Sequence, residues 1–367
     1  MLVNLGPRSG GSNPKASCNP IVSIRSKLKS RAVHTGLLLL LAAGLLWLFF
    51  RGSDLSAIRS SLAGANPWIL GSALGVILAT YLLRAARWQL LLAPFGRAGL
   101  WNCFTMTVIG FMLNFLAVRL GEIARPYLLA RREGFSASSA FATILLERVL
   151  DLVTVVLLIG FWLLVSPPEV ASGSALRSLE LGGALGLAAS VIGLGILFVL
   201  ARYPEQILPW IKKIFRVLPA KLEMAASGFT ETFAAGLAVL VDGRRLFLAA
   251  AMSILLWMNI AFAFWLGARA LGVEFPYGDT FLVIGFLTVG VAVPTPGAVG
   301  GYHVMAELAL TTLFGTEASL AKAVALLNHA IAFLPVTFLG VLFFARADLS
   351  FREVEKITSS SEELEES

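Results

Sequence analysis

RLGEIARPYLLARREGFSASSAFATILLERVLD, residues 119–151, carries nine charged side chains in a chain that is otherwise almost wholly apolar. Arg119, Glu122, Arg125, Arg131, Arg132 and Glu133 come first, and Glu147, Arg148 and Asp151 follow inside a hydrophobic run. A charge at the centre of a bilayer costs about 2.5–3.5 kcal/mol on insertion scales. Several kept together in one membrane segment point to use, so the rest of the sequence is read outward from them.

The membrane assignment follows from composition. Of 367 residues, 57% are hydrophobic and only 14% charged, against about a quarter charged in soluble domains. Apolar runs long enough to cross a bilayer recur along the chain, and a membrane β-barrel would show short alternating segments instead. The expected fold is therefore all-α and polytopic. The net charge of +7 lies in loops between spans, which fits retention in the cytoplasm and not a nucleic-acid partner. Cys18 and Cys103 form no disulfide framework, and His34, His303 and His329 lack zinc-ligand spacing, so no metal or cofactor is expected. Walker, Rossmann and nucleophile-elbow signatures are absent, which argues against an enzyme.

Residues 1–32 form a basic, Gly/Ser/Pro-rich segment expected to be disordered. Spans are expected over residues 35–50, 67–92, 137–165, 181–203, 246–271 and 318–345. Near the end of the second, Tyr81, Arg84, Arg87 and Trp88 share neighbouring helix faces; interfacial snorkelling and a functional role are equally open for them. Residues 204–242 form a basic cytoplasmic segment in which 210–218 read as an amphipathic surface helix. The acidic tail, 346–367, is expected to be disordered.

Two stretches repeat. VIGFMLNFLAV (108–118) lines up with VIGFLTVGVAV (283–293), and GFSASSAFATILLER (134–148) with GTEASLAKAVALLNH (315–329). Placing every basic loop in the cytoplasm makes residues 101–132 enter and leave on that side, and 281–314 enter and leave on the other. The expected architecture is about six full spans plus two re-entrant helical hairpins. They sit in inverted-topology repeats (about 67–165 and 246–345), as in many secondary transporters. Eight plain spans are the alternative. Both termini are placed in the cytoplasm, at the cytoplasmic membrane. The hairpin breaks are expected at residues 119–122 and 294–301, with Gly121, Pro126, Pro294, Pro296, Gly297, Gly300 and Gly301 breaking the helices or lining the substrate path.

Guanidinium groups bind phosphate with two parallel hydrogen bonds and stay charged when buried. Arg119, Glu122, Arg125, Glu147, Arg148 and Asp151 are thus the candidates for a lipid headgroup site; structural ion pairs are the bland alternative. Glu307 would either carry a coupling proton or pair with an arginine of the first repeat. His303 and His329 are candidates for proton coupling or for packing alone.

GEIARPYLLAR (121–131), GFSASSAFATILLERVLDL (134–152) and PTPGAVGGYHVMAE (294–307) together resemble the lysylphosphatidylglycerol synthase transmembrane-region family, a flippase-like domain. The resemblance covers about residues 35–345 and implies lipid flipping or handling. The sequence ends soon after the last apolar run, so the aminoacyltransferase half of the bifunctional members is not expected. The implied partner is a membrane phospholipid or an isoprenoid or hopanoid lipid. A second copy of the chain or a lipid-synthesis enzyme is also open. An accessory subunit or a membrane enzyme of lipid-linked glycan or hopanoid metabolism is the alternative function.

Overall fold

In a computed structural model, residues 36–116, 120–165, 173–215 and 220–347 are described. The N-terminal segment, Arg119 and the acidic tail beyond residue 347 lie outside them. Each long apolar run is one helix, and local chemistry fixes where it starts. Helix α1 is Gly36–Phe50. After a bend of 88°, α2 (Leu55–Ala63) begins where the Asp54 carboxylate accepts the Ser56 and Ala57 N–H groups. The Asn66 side chain caps α3 (Pro67–Leu92), whose first residue is a proline that needs no donor. Asp242 and Glu317 cap α10 (Gly243–Ala270) and α13 (Ala318–Arg346) in the same way. Such caps satisfy N–H groups that the helix itself leaves open.

Helices α3, α6 (Ala137–Val165), α10 and α13 hold 26, 29, 28 and 29 residues and are apolar enough to cross a bilayer. The bent pairs, α1 with α2 and α7 (Gly173–Arg202) with α8 (Pro204–Phe215), raise the number of candidate spans among the described residues to as many as six. Four other apolar-lined helices are shorter than the roughly 20 residues a span requires: α4 (Leu100–Leu116), α5 (Leu120–Glu133), α11 (Thr280–Ala292) and α12 (Gly301–Phe314). They form two hairpins, α4/α5 and α11/α12. Each hairpin is pinched where backbone meets backbone. A methyl group on Gly121 would collide with the Gly110 carbonyl, and one on Gly301 with the Gly290 carbonyl. After each hairpin a glycine in the left-handed region, Gly134 (φ +77°) or Gly315 (φ +62°), turns the chain into the next long helix.

These matched glycine pairs correct the repeat register. Gly110 and Gly121 stand where Gly290 and Gly301 stand, five residues later than the match of 108–118 with 283–293 implies. That match joined similar apolar letters, which carry little positional information. The match of 134–148 with 315–329 holds, since α6 and α13 start at the alanine–serine pair that opens at its fourth residue and are equally long.

The corresponding helices α3 and α10 pack antiparallel. The Asn66 N–H donates to Ala270 O at 2.8 Å. Midway, Asn259 Nδ2 donates to Val76 O and Thr80 Oγ1, and at the far end Arg87 Nη1 donates to Ser253 Oγ at 2.7 Å. Opposite direction in equivalent elements is what an inverted repeat requires. The hairpins are also exchanged. In α4, Val108 and Met112 pack on Gly340 of α13, and Trp101 and Phe104 meet Phe343. At the start of α11, Trp162 of α6 packs on Phe281 and donates to Asp279 Oδ1 at 2.6 Å. Each hairpin therefore rests on the long helix of the other repeat, and a space is left between them.

Helix α8 leaves α7 at 104° and exposes Trp210 (72%) and Ile214 (70%). Residues 216–219, which take in the end of the expected surface helix, are outside the described set. Helix α9 (Ala220–Gly236) packs against α6, where Ser139 Oγ donates to Thr232 O at 2.8 Å and Gly236 closes on Ser139 and Ala142.

Candidate headgroup cavity

A cavity of about 480 Å³ lies between the hairpins, with walls from both repeats. The first repeat supplies Arg84 from α3, Glu122 and Arg125 from α5, and Arg148 and Asp151 from α6. The second supplies neutral groups, among them Trp257, Thr295, Tyr302, Asn328 and Phe333. Most of the remaining wall is aliphatic. An apolar chamber with few convergent polar groups is the usual form of a small-molecule site.

Arg87 and Glu147 lie behind the wall and pair with two of its residues, Asp151 and Arg125. Arg87 is 0% and Glu147 1% exposed. Arg87 Nη1 lies 2.5 Å from Asp151 Oδ1, and its Nη2 lies 3.8 Å from Glu147 Oε1. Arg125 Nη1 is 3.1 Å from Glu147 Oε2, and its Nη2 donates to Oε1 at 3.3 Å. The Arg125 guanidinium also stacks 3.8 Å over the Trp88 ring, whose Nε1 donates to Thr143 Oγ1. Trp257 Nε1 donates to Asp151 Oδ1 at 3.0 Å. These contacts tie α3, α5, α6 and α10 together through buried charges that would be costly if left unpaired.

In front of them the charges are less committed. Arg148 is 39% exposed and approaches Asp151 Oδ2 only to 3.6 Å; its buried Nε has no hydrogen-bond partner. Among the described residues Arg84 has no ion pair, and its guanidinium lies 5.0 Å over the Phe111 ring. Glu122 faces the same cavity, again without an ion pair among the described residues.

The sequence-derived candidates thus fall into groups. Glu122, Arg125, Arg148 and Asp151 share the cavity, as do Gly121, Pro294 and Gly297. Glu147 lies behind the wall, and Arg119 is outside the described residues. Gly121 and Pro126 do not break the chain, because both lie inside α5; Gly121 is there for the close approach to Gly110. In the second repeat the break is real. Pro296–Ala298 form a short 3-10 turn, with Gly297 at φ +61° and Gly300 at φ +91°. Pro296, Gly300 and Gly301 sit in or beside that turn, and Gly300 packs on Leu45 of α1.

His303 and His329 are buried with ring centroids 4.5 Å apart. His303 Nδ1 accepts the Gly300 N–H, and His329 Nε2 lies 2.9 Å from Gly297 O and stacks on Phe333. Glu307 pairs with Lys322 at 3.4 Å, not with an arginine of the first repeat. Lys322 also donates to Ser53 Oγ.

Arg84 and Arg87 are the residues that sequence reasoning undervalued. Arg87 is no snorkelling anchor: it is fully enclosed. The available signal was the apolar turn Leu90–Leu91–Leu92 that follows it, which places Arg87 inside the span and not at its end. Among the described residues no three His, Cys, Asp or Glu side chains are grouped as metal ligands.

The description "Lysylphosphatidylglycerol synthase TM region" fits residues 36–340 of this chain. The chain belongs to that family. The fitted region takes in both hairpins and nearly all of α13, so the cavity lies wholly within the family domain. The chain is also similar to a protein called Glycosyltransferase AglD from Haloferax volcanii, 24% identical over 343 residues, which are 84% of this chain and 54% of the relative. The chain therefore spans about half the length of that curated relative.

Proposed function

We propose that this member of the lysylphosphatidylglycerol synthase transmembrane-region family moves an anionic, amphipathic lipid between the leaflets of the cytoplasmic membrane. The observation that carries the reading is the cavity between two exchanged, inverted hairpins, charged on the side of one repeat and uncharged on the other. A headgroup phosphate pays a large desolvation cost in hydrocarbon. Fixed guanidinium groups offset that cost, and the aliphatic wall receives the start of the acyl or isoprenoid chain. Alternating exposure would come from rocking one repeat against the other about the site. His303, His329 and Glu307 are assigned the uptake of a coupling proton. The basic loops favour an orientation with both termini in the cytoplasm.

The test is reconstitution in liposomes with labelled lipids of different headgroups, with and without an imposed pH gradient. Faster translocation than in protein-free liposomes supports transport. A rate that follows the gradient in the wild type and ignores it in His329→Gln supports the coupling assignment; a rate indifferent to the gradient removes it.

The relative called a glycosyltransferase favours a second reading, in which the cavity seats a lipid-linked glycan for a glycosyl-transfer step. Labelled sugar passed from a nucleotide sugar to membrane lipid only when this protein is present, with no translocation in liposomes, would select it.

A further inference from the structure

Arg84 is unused by the ion pairs of Arg87 and Arg125. So are Arg148, apart from its long approach to Asp151, and Glu122. Arg87 with Asp151 and Arg125 with Glu147 are mutually compensated at 2.5 and 3.1 Å. The cavity face that remains, among the described residues, holds two guanidinium groups and one carboxylate. Arg84 and Arg148 line the same cavity, so the two cations act on one chamber. The Arg148 Nε is buried with no hydrogen-bond acceptor.

Accepting that the cavity is a lipid headgroup site, we infer that Arg84 and Arg148 together seat a singly charged phosphodiester, and that Glu122 reads a hydroxyl or N–H donor on the group beyond it. One negative charge brings the uncompensated face to neutrality, whereas a phosphate monoester carries about −1.5 to −2 and a pyrophosphate diester two charges. Excess charge in a low-dielectric chamber is penalised heavily. Two planar guanidinium forks suit the two non-bridging oxygens of a phosphodiester. An ionised carboxylate is acceptor-only, so Glu122 needs a donor opposite it. Glycerol, sugar and primary-amine headgroups offer one; a trimethylammonium does not.

The shared chemistry has two sources, a glycerophospholipid or an isoprenoid phosphodiester sugar. Equilibrium binding of the full-length protein in detergent separates them. The probes are dioctanoyl phosphatidylglycerol, dioctanoyl phosphatidylcholine, dioctanoyl phosphatidic acid, farnesyl phosphoglucose and farnesyl diphosphate. Either phosphatidylglycerol or farnesyl phosphoglucose should bind tightest, naming the source, with phosphatidic acid and the diphosphate at least about tenfold weaker. Arg84→Gln should lose about tenfold or more for the preferred probe, the scale of one charge-assisted contact. Arg269→Gln, at an exposed pair with Glu274, should change nothing. Glu122→Gln is an independent variant on which no ion pair among the described residues depends, and it should erase the preference for phosphatidylglycerol over phosphatidylcholine. Tightest binding by the diphosphate, unchanged affinity in a folded Arg84→Gln, or an intact preference in Glu122→Gln would each overturn the inference. These selectivities without any translocation in liposomes would refute transport and leave the headgroup assignment standing.

Discussion

At the scale of single residues, the charges divide into those that hold the bundle and those that face the cavity. Asp151 and Arg148 stand three apart, and from sequence they look like each other's partners. The structure gives Asp151 a nearer cation in Arg87, on another helix, and leaves Arg148 at 3.6 Å. The two arginines should therefore behave differently. Arg87→Ala strands the buried Asp151 carboxylate and should cost about 3–5 kcal/mol. Arg148→Ala removes a half-exposed, distant pair and should cost no more than about 1 kcal/mol. Thermal unfolding in detergent distinguishes them, and equal losses would show that Arg87 is not the residue holding Asp151. Which charges cluster was legible, because carboxylates and arginines four and three apart in an apolar run leave few alternatives. Which cation each carboxylate chooses was not, because Arg87 is brought to Asp151 by the packing of α3 on α6 and α10.

At the scale of elements, the helix limits followed the sequence closely. Proline and the capping side chains Asn66, Asp242 and Glu317 mark where each long apolar run begins. The misreadings are at small residues. Gly121 and Pro126 read as a break, yet they lie within α5, since a glycine can serve close packing as well as a turn. The hairpins make this testable. Gly121→Ala and Gly301→Ala force a methyl group onto the carbonyls of Gly110 and Gly290 and should each cost about 1–3 kcal/mol, the range for overpacking. Gly71→Ala, in α3 with open space around it, should be neutral or slightly stabilising because alanine is the better helix former. Melting temperatures of the three variants check this; a tolerated Gly121→Ala would mean that α4 and α5 are not closely apposed.

At the scale of the whole molecule, the repeated stretches and the loop charge together led to inverted repeats, and the antiparallel α3 and α10 and the exchanged hairpins agree with it. Sequence did not reveal that each hairpin leans on the opposite repeat, because that contact joins positions far apart in the chain through interchangeable aromatic and aliphatic groups. Orientation remains a proposal with its own expected outcome. Cysteines placed at Arg132 and Lys213 should be shielded from an impermeant reagent in intact cells, while one at Glu274 reacts; labelling at Arg132 from outside would reverse the first hairpin. The central claim is that the cavity carries a lipid headgroup across the membrane. Its most direct test is the rate at which proteoliposomes translocate labelled phosphatidylglycerol or labelled isoprenyl phosphoglucose, whichever binds tighter, compared between the wild type and a folded, monodisperse Arg84→Gln/Arg148→Gln variant. Wild-type translocation well above protein-free liposomes, with the variant at background, is the expected result. A variant as fast as the wild type, or a wild type no faster than lipid alone, would contradict the account.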